Sequence, residues 1–490
     1  MNFHRYFATG REPLEARTID GRIVESRIVE TCIVGTGGFG RSFLAQGLRV
    51  PRMRARVAVD VEAEIAAVAM RAVGIDPRRI RLCATAAEAA RAFADGDFIA
   101  VSDLAAVVEL PIEVVVEATG HPEAGARHAR LAIEADRHLA MVSKEVDSVV
   151  GPGLAHLARR RGRVVTPVDG DQPSLLIGLV TWAETLGFEI VAAGKSSEYD
   201  FVFDVATGLM RSNERTVSAP EFAQCWTLGE RSAEEITAAR SRAAGALPQR
   251  AVPDLCEMLI VGNATGFVPD RPDFHAPIAR IGEVATLLGE RAEGGLMSGT
   301  RRLEVFHCLR TPDEVSFAGG VFVLVRCDDR PTWDMLAEKG HLVSRSGATA
   351  LIYLPRHLLG LEAAISVLEA ALLGVSSGAV EPRPHLDLIA RAAQDLPAGT
   401  VLAMGGHHHT IDGVTAELVP GAPLAEGTPA PFYLAANRRL ARSVARGEAI
   451  TFGDLEFGQG SDLLELRRLQ DAAFFGTSQP DRGLLAETQR

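Results

Sequence analysis

The stretch CIVGTGGFGRSF, residues 32–43, carries the spacing on which the fold turns: Gly35-x-Gly37-x-x-Gly40, directly after an apolar run. Alone, such a match is weak, and its context decides what it means. SRIVETCIVG reads as a strand ending at Gly35, and GFGRSFLAQGLRV as the helix that follows. RARVAVD predicts a second strand ending at Asp60, 25 residues after Gly35. That is close to the interval expected for an acid that hydrogen-bonds a ribose. Gly35 permits the tight turn, Gly37 lets backbone approach a pyrophosphate, and Gly40 lets helix pack on strand. With Gly38 and Phe39 they place a helix N-terminus against negative charge. Asp60 suits the free 2′-hydroxyl of NAD, while Arg52, Arg54 and Arg71 keep NADP open.

Outward from this turn the alternation continues. VEAEIAAVAMRAVG and TAAEAARAFADG predict helices, RRIRLCA a short strand, and IEVVVEATG a strand apolar enough to be buried on both faces. Thr119 and Gly120, at its end, are placed to contact the nicotinamide ribose, or form an ordinary strand-end turn. HPEAGARHARLAIEAD reads as a helix, HLAMVSK as a strand, GPGLAHLARRRG as a helix and RVVTPVD as a strand. The expected class is α/β, a Rossmann-type doubly wound parallel sheet over residues 1–168. Residues 169–380 are expected to form a second, α+β domain for substrate and dimerisation. Within it, 205–250 read as helix and loop, and GLMSGTRRLEVFHCLRTPDEVSFAGGVFVLVRC as strands with a turn at Ala318-Gly319-Gly320. HLLGLEAAISVLEAALLG reads as one amphipathic helix. Pro382 and Pro384 mark a boundary near 380, and 381–490 read as a small β-rich module with a C-terminal tail.

Composition narrows the functions. The chain has 490 residues, 47% apolar and 23% charged, with a net charge of −12. That balance argues against nucleic-acid and anionic-membrane partners, while a phosphorylated small substrate needs only a local basic pocket. Six scattered cysteines, none in a C-x-x-C pair, indicate neither a disulfide framework nor a zinc site. The first residues lack a signal-peptide core, and no membrane-spanning run is present in the sequence, so a cytoplasmic protein is expected.

Only three of the 51 basic residues are lysine: Lys144, Lys195 and Lys339. Arginine supplies charge but does not titrate, so a lysine kept in such a background points to proton transfer. Lys144 ends a predicted strand, where open α/β sheets place ligands; pairing with Glu145 is the bland alternative. Lys195 also ends a predicted strand and precedes Glu198 and Asp200, which makes either an ion pair or a tuned acid/base centre. Asp169 and Asp171, in DGDQP, fit a divalent cation or substrate hydroxyls, and Asp171 equally fits a helix cap before Pro173. His407, His408 and His409 invite a metal reading without acidic or cysteine partners nearby. Arg280, Arg301, Arg302 and Arg345 are candidates for a substrate phosphate. Lys339 and His341 suit either a covering segment or a solvated loop.

Several stretches together resemble a known family. GTGGFG, VVVEATG and MVSKEVDSVVGPGLAHLARRRG are similar to the homoserine dehydrogenase-like oxidoreductases. PVDGDQPSLL, VAAGKSSEYD, GNATGFVPD, KGHLVSRSG and PRHLLGLEAAISVL resemble the deoxyxylulose-phosphate reductoisomerase-like enzymes with a C-terminal SAF-type domain, for which DLPAGTVL and PFYLAANRRLARSVARGEAIT speak. The resemblance implies NADP or NAD as cofactor, with Ser143 on the cofactor side and Lys144 beside the nicotinamide and the reacting oxygen. It implies a small polyhydroxylated substrate, with reductoisomerisation of 1-deoxy-D-xylulose 5-phosphate as the specific expectation, a divalent metal as an option, and a homodimer. A dehydrogenase of sugar acids or polyols, or a dinucleotide-binding regulator without turnover, are the alternatives.

Overall fold

The computed structural model describes residues 17–19, 22–24, 28–406, 409–458 and 460–476. His407 and His408, and the N-terminal stretch read for a targeting signal, lie outside the described residues. Seven strands form one sheet: β1 (Val29–Val34), β2 (Met53–Val59), β3 (Ile80–Leu82), β4 (Phe98–Val101), β5 (Val114–Glu117), β6 (His138–Met141) and β7 (Val165–Thr166). The order is β3-β4-β2-β1-β5-β6-β7, and every pairing is parallel. Five helices join them: α1 (Gly38–Gly47), α2 (Ala63–Ala72), α3 (Ala86–Ala94), α4 (Pro122–Glu134) and α5 (Lys144–Arg160). From β1 the sheet extends to one side through β2, β4 and β3, and the chain then returns to β5 on the other side. The carboxyl ends of β1 and β5 therefore flank a topological switch point, where such sheets bind ligands.

Alternate side chains of the strands serve the two faces. Cys32, Val34, Val57 and Val59 pack with Ala89 of α3, Ala129 of α4 and Val150 of α5. Ile33, Ala58 and Val116 pack with Phe43 and Met70, and with Val367 and Leu368 from much later in the chain. That later segment is not the single helix expected. It is a 3-10 turn at Leu359–Leu361, one α-helical turn at Ala364–Leu368 and a π-helical turn at Glu369–Leu373. The reason is close approach: Gly360 lies against α1, where a Cβ would come 2.6 Å from the Phe39 oxygen and the Phe43 nitrogen. Leu359 bends the chain into that contact with φ of 53°.

A second, mixed sheet has Ile190–Ser196 near its centre, parallel to Arg302–Arg310 on one side and antiparallel to Val321–Arg326 on the other. The strands either side of the Ala318-Gly319-Gly320 turn therefore flank a third strand rather than pairing with each other. Residues 205–250 are less helical than expected: Leu209–Ser212 and Arg215–Ser218 form an antiparallel pair at the sheet edge before the helix Ala233–Ala243. Helix Val252–Thr265 buries eleven residues and is the central post of the molecule.

The C-terminal β-rich region is built on the antiparallel pair Leu386–Ala392 and Val414–Pro420. Its Leu386, Leu388 and Leu463 share one continuous core with Val146, Val150 and Leu154 of α5. Helix Asp462–Phe475 returns to the first sheet: Arg130 of α4 bonds Asp462 at 3.0 Å and Glu465 at 2.7 Å, and Gln470 accepts from the Gly153 amide at 2.9 Å. Among the described residues, no helix is long and apolar enough to cross a membrane.

Candidate active site at the carboxyl edge of the first sheet

The glycine turn has the form a dinucleotide requires. Gly35 has φ of 90°, and a Cβ there would come 2.6 Å from the Ala118 oxygen at the end of β5. A Cβ on Gly40 would overlap the Gly35 carbonyl. Around Gly37 and Gly38 the space is open, and no side chain caps the first turn of α1. The α1 N-terminus thus presents unpaired amides and no competing carboxylate, which fits a pyrophosphate. Phe39 is half-buried against the core, with its carbonyl beside Gly360. Asp60, at the end of β2, accepts from the Thr36 amide at 2.9 Å and the Thr36 hydroxyl on Oδ2, and from the Val61 amide at 2.8 Å on Oδ1. Oδ1, with one bond, keeps a lone pair for a ribose hydroxyl.

The three arginines that kept NADP open stand elsewhere. Arg52 and Arg54 lie at the amino end of β2, and Arg54 is six strand residues, about 20 Å, from Asp60. Arg71 is paired with Glu64.

Across the switch point, the loops after β5 and β6 are tied together. The Gly120 amide donates to Ser143 Oγ at 2.8 Å, and Thr119 Oγ1 donates to the buried Glu117 carboxylate at 2.6 Å. Lys144 is not at a strand end. It is the first residue of α5, three residues beyond the end of β6, and the helix expected from Gly151 onward begins here.

The structure gathers Lys144 and Lys195 on one carboxylate that sequence reasoning missed. Glu257 accepts from Lys144 through Oε1 and from Lys195 through Oε2. Lys195 also reaches Asp254 Oδ1 at 2.9 Å, and Ser197 Oγ donates to Asp254 Oδ2 at 2.7 Å. The result is an alternating row: Lys144, Glu257, Lys195, Asp254. The lysines differ in access, since the Lys144 side chain is 25% exposed and that of Lys195 1%. Lys144 is therefore accessible from outside, and Lys195 is sealed.

Electrostatics follow from that packing. Burial alone would lower both ammonium groups. For Lys144 it is outweighed by Glu257, Asp171 and Glu145, which hold it well above its ordinary value. For Lys195 it is outweighed by Asp254 and Glu257. Burial raises Glu257, but the two lysines prevail and lower it to about 2.

Asp171 caps the helix Gln172–Thr185 through the Gln172 amide at 3.0 Å. Burial raises its carboxyl against the opposing charge of Lys144. Asp169 is drawn away: it accepts from Ser174 Oγ, and its amide donates to Ser366 Oγ at 2.7 Å. Glu198 is exposed and outside the Lys195 row, a correction to the sequence reading. On a strand, residues two apart share a side, so Ser197 and not Glu198 joins Lys195. His357, another residue not foreseen, packs on Gly319, where a Cβ would also come within 3.2 Å of Gln172 Nε2.

The arginines proposed for a phosphate are dispersed. Arg280 pairs with Glu314, Arg301 with Glu184, and Arg302 with Asp270, while Arg345 donates to the carbonyls of Gly229 and Arg231. Lys339 and His341 are exposed. Among the described residues, no three of His, Cys, Asp and Glu are grouped to hold a metal ion. The two buried carboxylates of the site are each occupied by lysine.

Residues 252–363 match the family model for the oxidoreductase DRL catalytic domain. That segment contains Asp254, Glu257, Gly319 and His357. No curated protein matches the chain. Among solved structures, it is similar to GenD2 from gentamicin A biosynthesis in complex with NAD, at 18% identity and a TM-score of 0.24, covering 38% of this chain and 45% of that one. It is also similar to a probable dehydrogenase from Thermotoga maritima, at 9% identity and a TM-score of 0.27, covering 37% of this chain and 48% of that one. A third is myo-inositol dehydrogenase from Lactobacillus casei in complex with NAD(H) and myo-inositol, at 14% identity and a TM-score of 0.25. The chain spans about half the length of these structures, 45% to 51%. At such scores the fold rests on the strand order and the glycine turn themselves. A dinucleotide-type sheet joined to a segment matching an oxidoreductase catalytic domain supports an NAD(P)-dependent oxidoreductase.

Proposed function

We propose that this chain is an oxidoreductase that uses NAD in preference to NADP and interconverts a carbonyl and an alcohol on a small polyhydroxylated compound. The row Lys144–Glu257–Lys195 at the carboxyl edge of the sheet carries this reading. When bound, the nicotinamide supplies the hydride to the carbonyl carbon, or accepts it in reverse. Lys144 donates from Nζ to the reacting oxygen and passes it a proton as it gains charge. Its raised pKa keeps it charged at neutral pH, which suits a hydrogen-bond and electrostatic donor to the developing oxyanion and not a general base. Lys195 is a positioning residue that keeps Glu257 ionised and Lys144 in place. Asp171, Gln172 and His357 offer a carboxyl, an amide and an imidazole beside Lys144 and Gly319, a set suited to hydroxyl groups.

The preference for NAD is supported by Asp60 and by the position of Arg52 and Arg54 at the opposite end of β2. Reductoisomerisation of deoxyxylulose phosphate, the finer expectation from the resemblance, adds a skeletal rearrangement and a phosphate. The dispersal of Arg280, Arg301, Arg302 and Arg345 favours an unphosphorylated substrate. A homodimer belongs to the same proposal and is read by light scattering.

The test is to follow nicotinamide absorbance with purified protein, NADH or NADPH, and a panel of polyhydroxylated carbonyls that includes deoxyxylulose phosphate, with products identified by carbon NMR. Oxidation of NADH with an unchanged carbon skeleton is expected. A branched product would replace this reading with the reductoisomerase. Dinucleotide binding without turnover, in both directions, would replace it with the regulator.

A further inference from the structure

The C-terminal region reaches the cofactor side of the site through one residue. The pair Met404–Gly405 and Thr410–Ile411 places His409 beside the loop after β5. Its Nδ1 bonds Glu145 Oε1 at 2.6 Å. Its ring lies so close to Gly120 that a Cβ there would overlap Cε1 and come 3.0 Å from Nδ1. Gly120 is held in turn by Ser143, and Glu145 follows Lys144 in the first turn of α5. The residue adopts φ of 48°, unusual for a side chain with a Cβ. Such backbone persists where surrounding contacts over-determine it, and it clusters at ligand clamps. Among the described residues, Nε2 has no hydrogen-bond partner, and the side chain is 32% exposed. A fixed ring with one free polar atom thus borders the loop that follows the switch-point strand.

We propose that His409 is a binding residue of the dinucleotide site, brought from the C-terminal region, whose Nε2 donates to an oxygen of the nicotinamide half of the cofactor. This rests on the dinucleotide-dependent reading above. The choice of cofactor over substrate follows from Gly120 and Ser143, which come from the loops after β5 and β6 beside the switch point, whereas Asp171 and Gln172 come from the segment after β7 and Gln172 meets His357 at Gly319. Glu145 orients the ring and holds its proton on Nδ1. The hydrogen bond to Glu145 raises the imidazole above its ordinary value, with Lys144 as the opposing charge. Among the described residues, these two groups, both on α5, are the charged groups facing it. Nε2 donates when the ring is a cation, so the contact is present below the raised pKa and is lost as pH rises through it.

The experiment is titration of NADH into the full-length protein, followed by protein fluorescence between pH 5.5 and 9, for wild type, His409→Ala and His409→Gln. Wild-type affinity is expected to fall as pH rises. His409→Ala is expected to bind about tenfold more weakly at low pH, with a flat profile, as loss of one hydrogen bond requires. His409→Gln, which keeps a donor but does not titrate, is expected to recover affinity without the pH dependence. Urea midpoints alike for all three keep folding out of the comparison, and Gly120→Ala, which displaces the ring, is expected to mimic His409→Ala. Wild type that binds no NADH would sink the dinucleotide reading itself. Wild type that binds NADH with the same affinity and pH profile as His409→Ala would overturn only the role of His409, as would a change confined to substrate KM.

Discussion

At the scale of single residues, two lysines in nearly the same charged row have different tasks. Lys144 is partly exposed and, in the proposed function, meets the reacting oxygen, whereas Lys195 is sealed from solvent. Lys144→Arg keeps the charge but loses the group that can release a proton. We expect kcat to fall at least about a hundredfold, with NADH affinity unchanged, measured by steady-state kinetics and fluorescence titration. Glu257→Gln has another signature, because it leaves buried ammonium charge with half its compensation. Removing one partner of a buried pair costs about 3 kcal/mol or more, so urea denaturation should show a clear loss of stability besides the loss of activity. The sequence pointed to the lysines through their rarity. Their partner was not legible, because Glu257 is 113 residues from Lys144 and 62 from Lys195. The only local signal was two acids, Asp254 and Glu257, three apart on one face of an otherwise apolar helix. Neighbours in sequence misled in the same place: Glu198 is three residues from Lys195 but exposed and outside the row.

At the scale of elements, the β1–turn–α1 unit was legible because its requirements are local. A strand, a left-handed glycine and a glycine under the helix are all fixed within the twelve residues from Val29 to Gly40. Gly40→Ala would drive a methyl into the Gly35 carbonyl, so we expect dinucleotide binding to be lost together with thermal stability, as calorimetry would show. Asp60→Ala leaves the turn in place and removes the group that selects the ribose. The expected result is weaker NADH binding with NADPH affinity kept or improved, read as a ratio of dissociation constants. The segment 359–374 shows where such reading stops. Its apolar spacing fits a helix, yet Gly360 must seat on α1, and the turn that allows this replaces the helix by three short pieces. The docking surface that decides the conformation is over 300 residues away in the chain.

At the scale of the whole molecule, the boundary near residue 380 is a boundary in composition but not in packing. Leu386, Leu388 and Leu463 are buried with α5. Truncation after Val380 should therefore yield an aggregating protein rather than an active shorter one, as size-exclusion chromatography would reveal. Stability should also carry a pH signature from Asp147 on α5, which burial, and then Asp171, raise to about 7 from 3.8. A carboxyl raised on folding favours the native state most below its unfolded value. That contribution disappears as pH climbs through about 7. Asp147→Asn should flatten the melting temperature between pH 5 and 8, with its largest relative gain at the alkaline end.

The return of helix Asp462–Phe475 to α4 and α5 bears on how the chain is made. Gln470 meets Gly153 across 317 residues, and Arg438 meets Glu123 across 315. At roughly 5–20 residues per second, a ribosome needs on the order of 15–60 s to synthesise that interval. Throughout it the nascent dinucleotide-binding half waits with one flank of α4 and α5 bare. Closure of that flank therefore waits for the synthesis of helix Asp462–Phe475, and until then its apolar surface is open to other contacts.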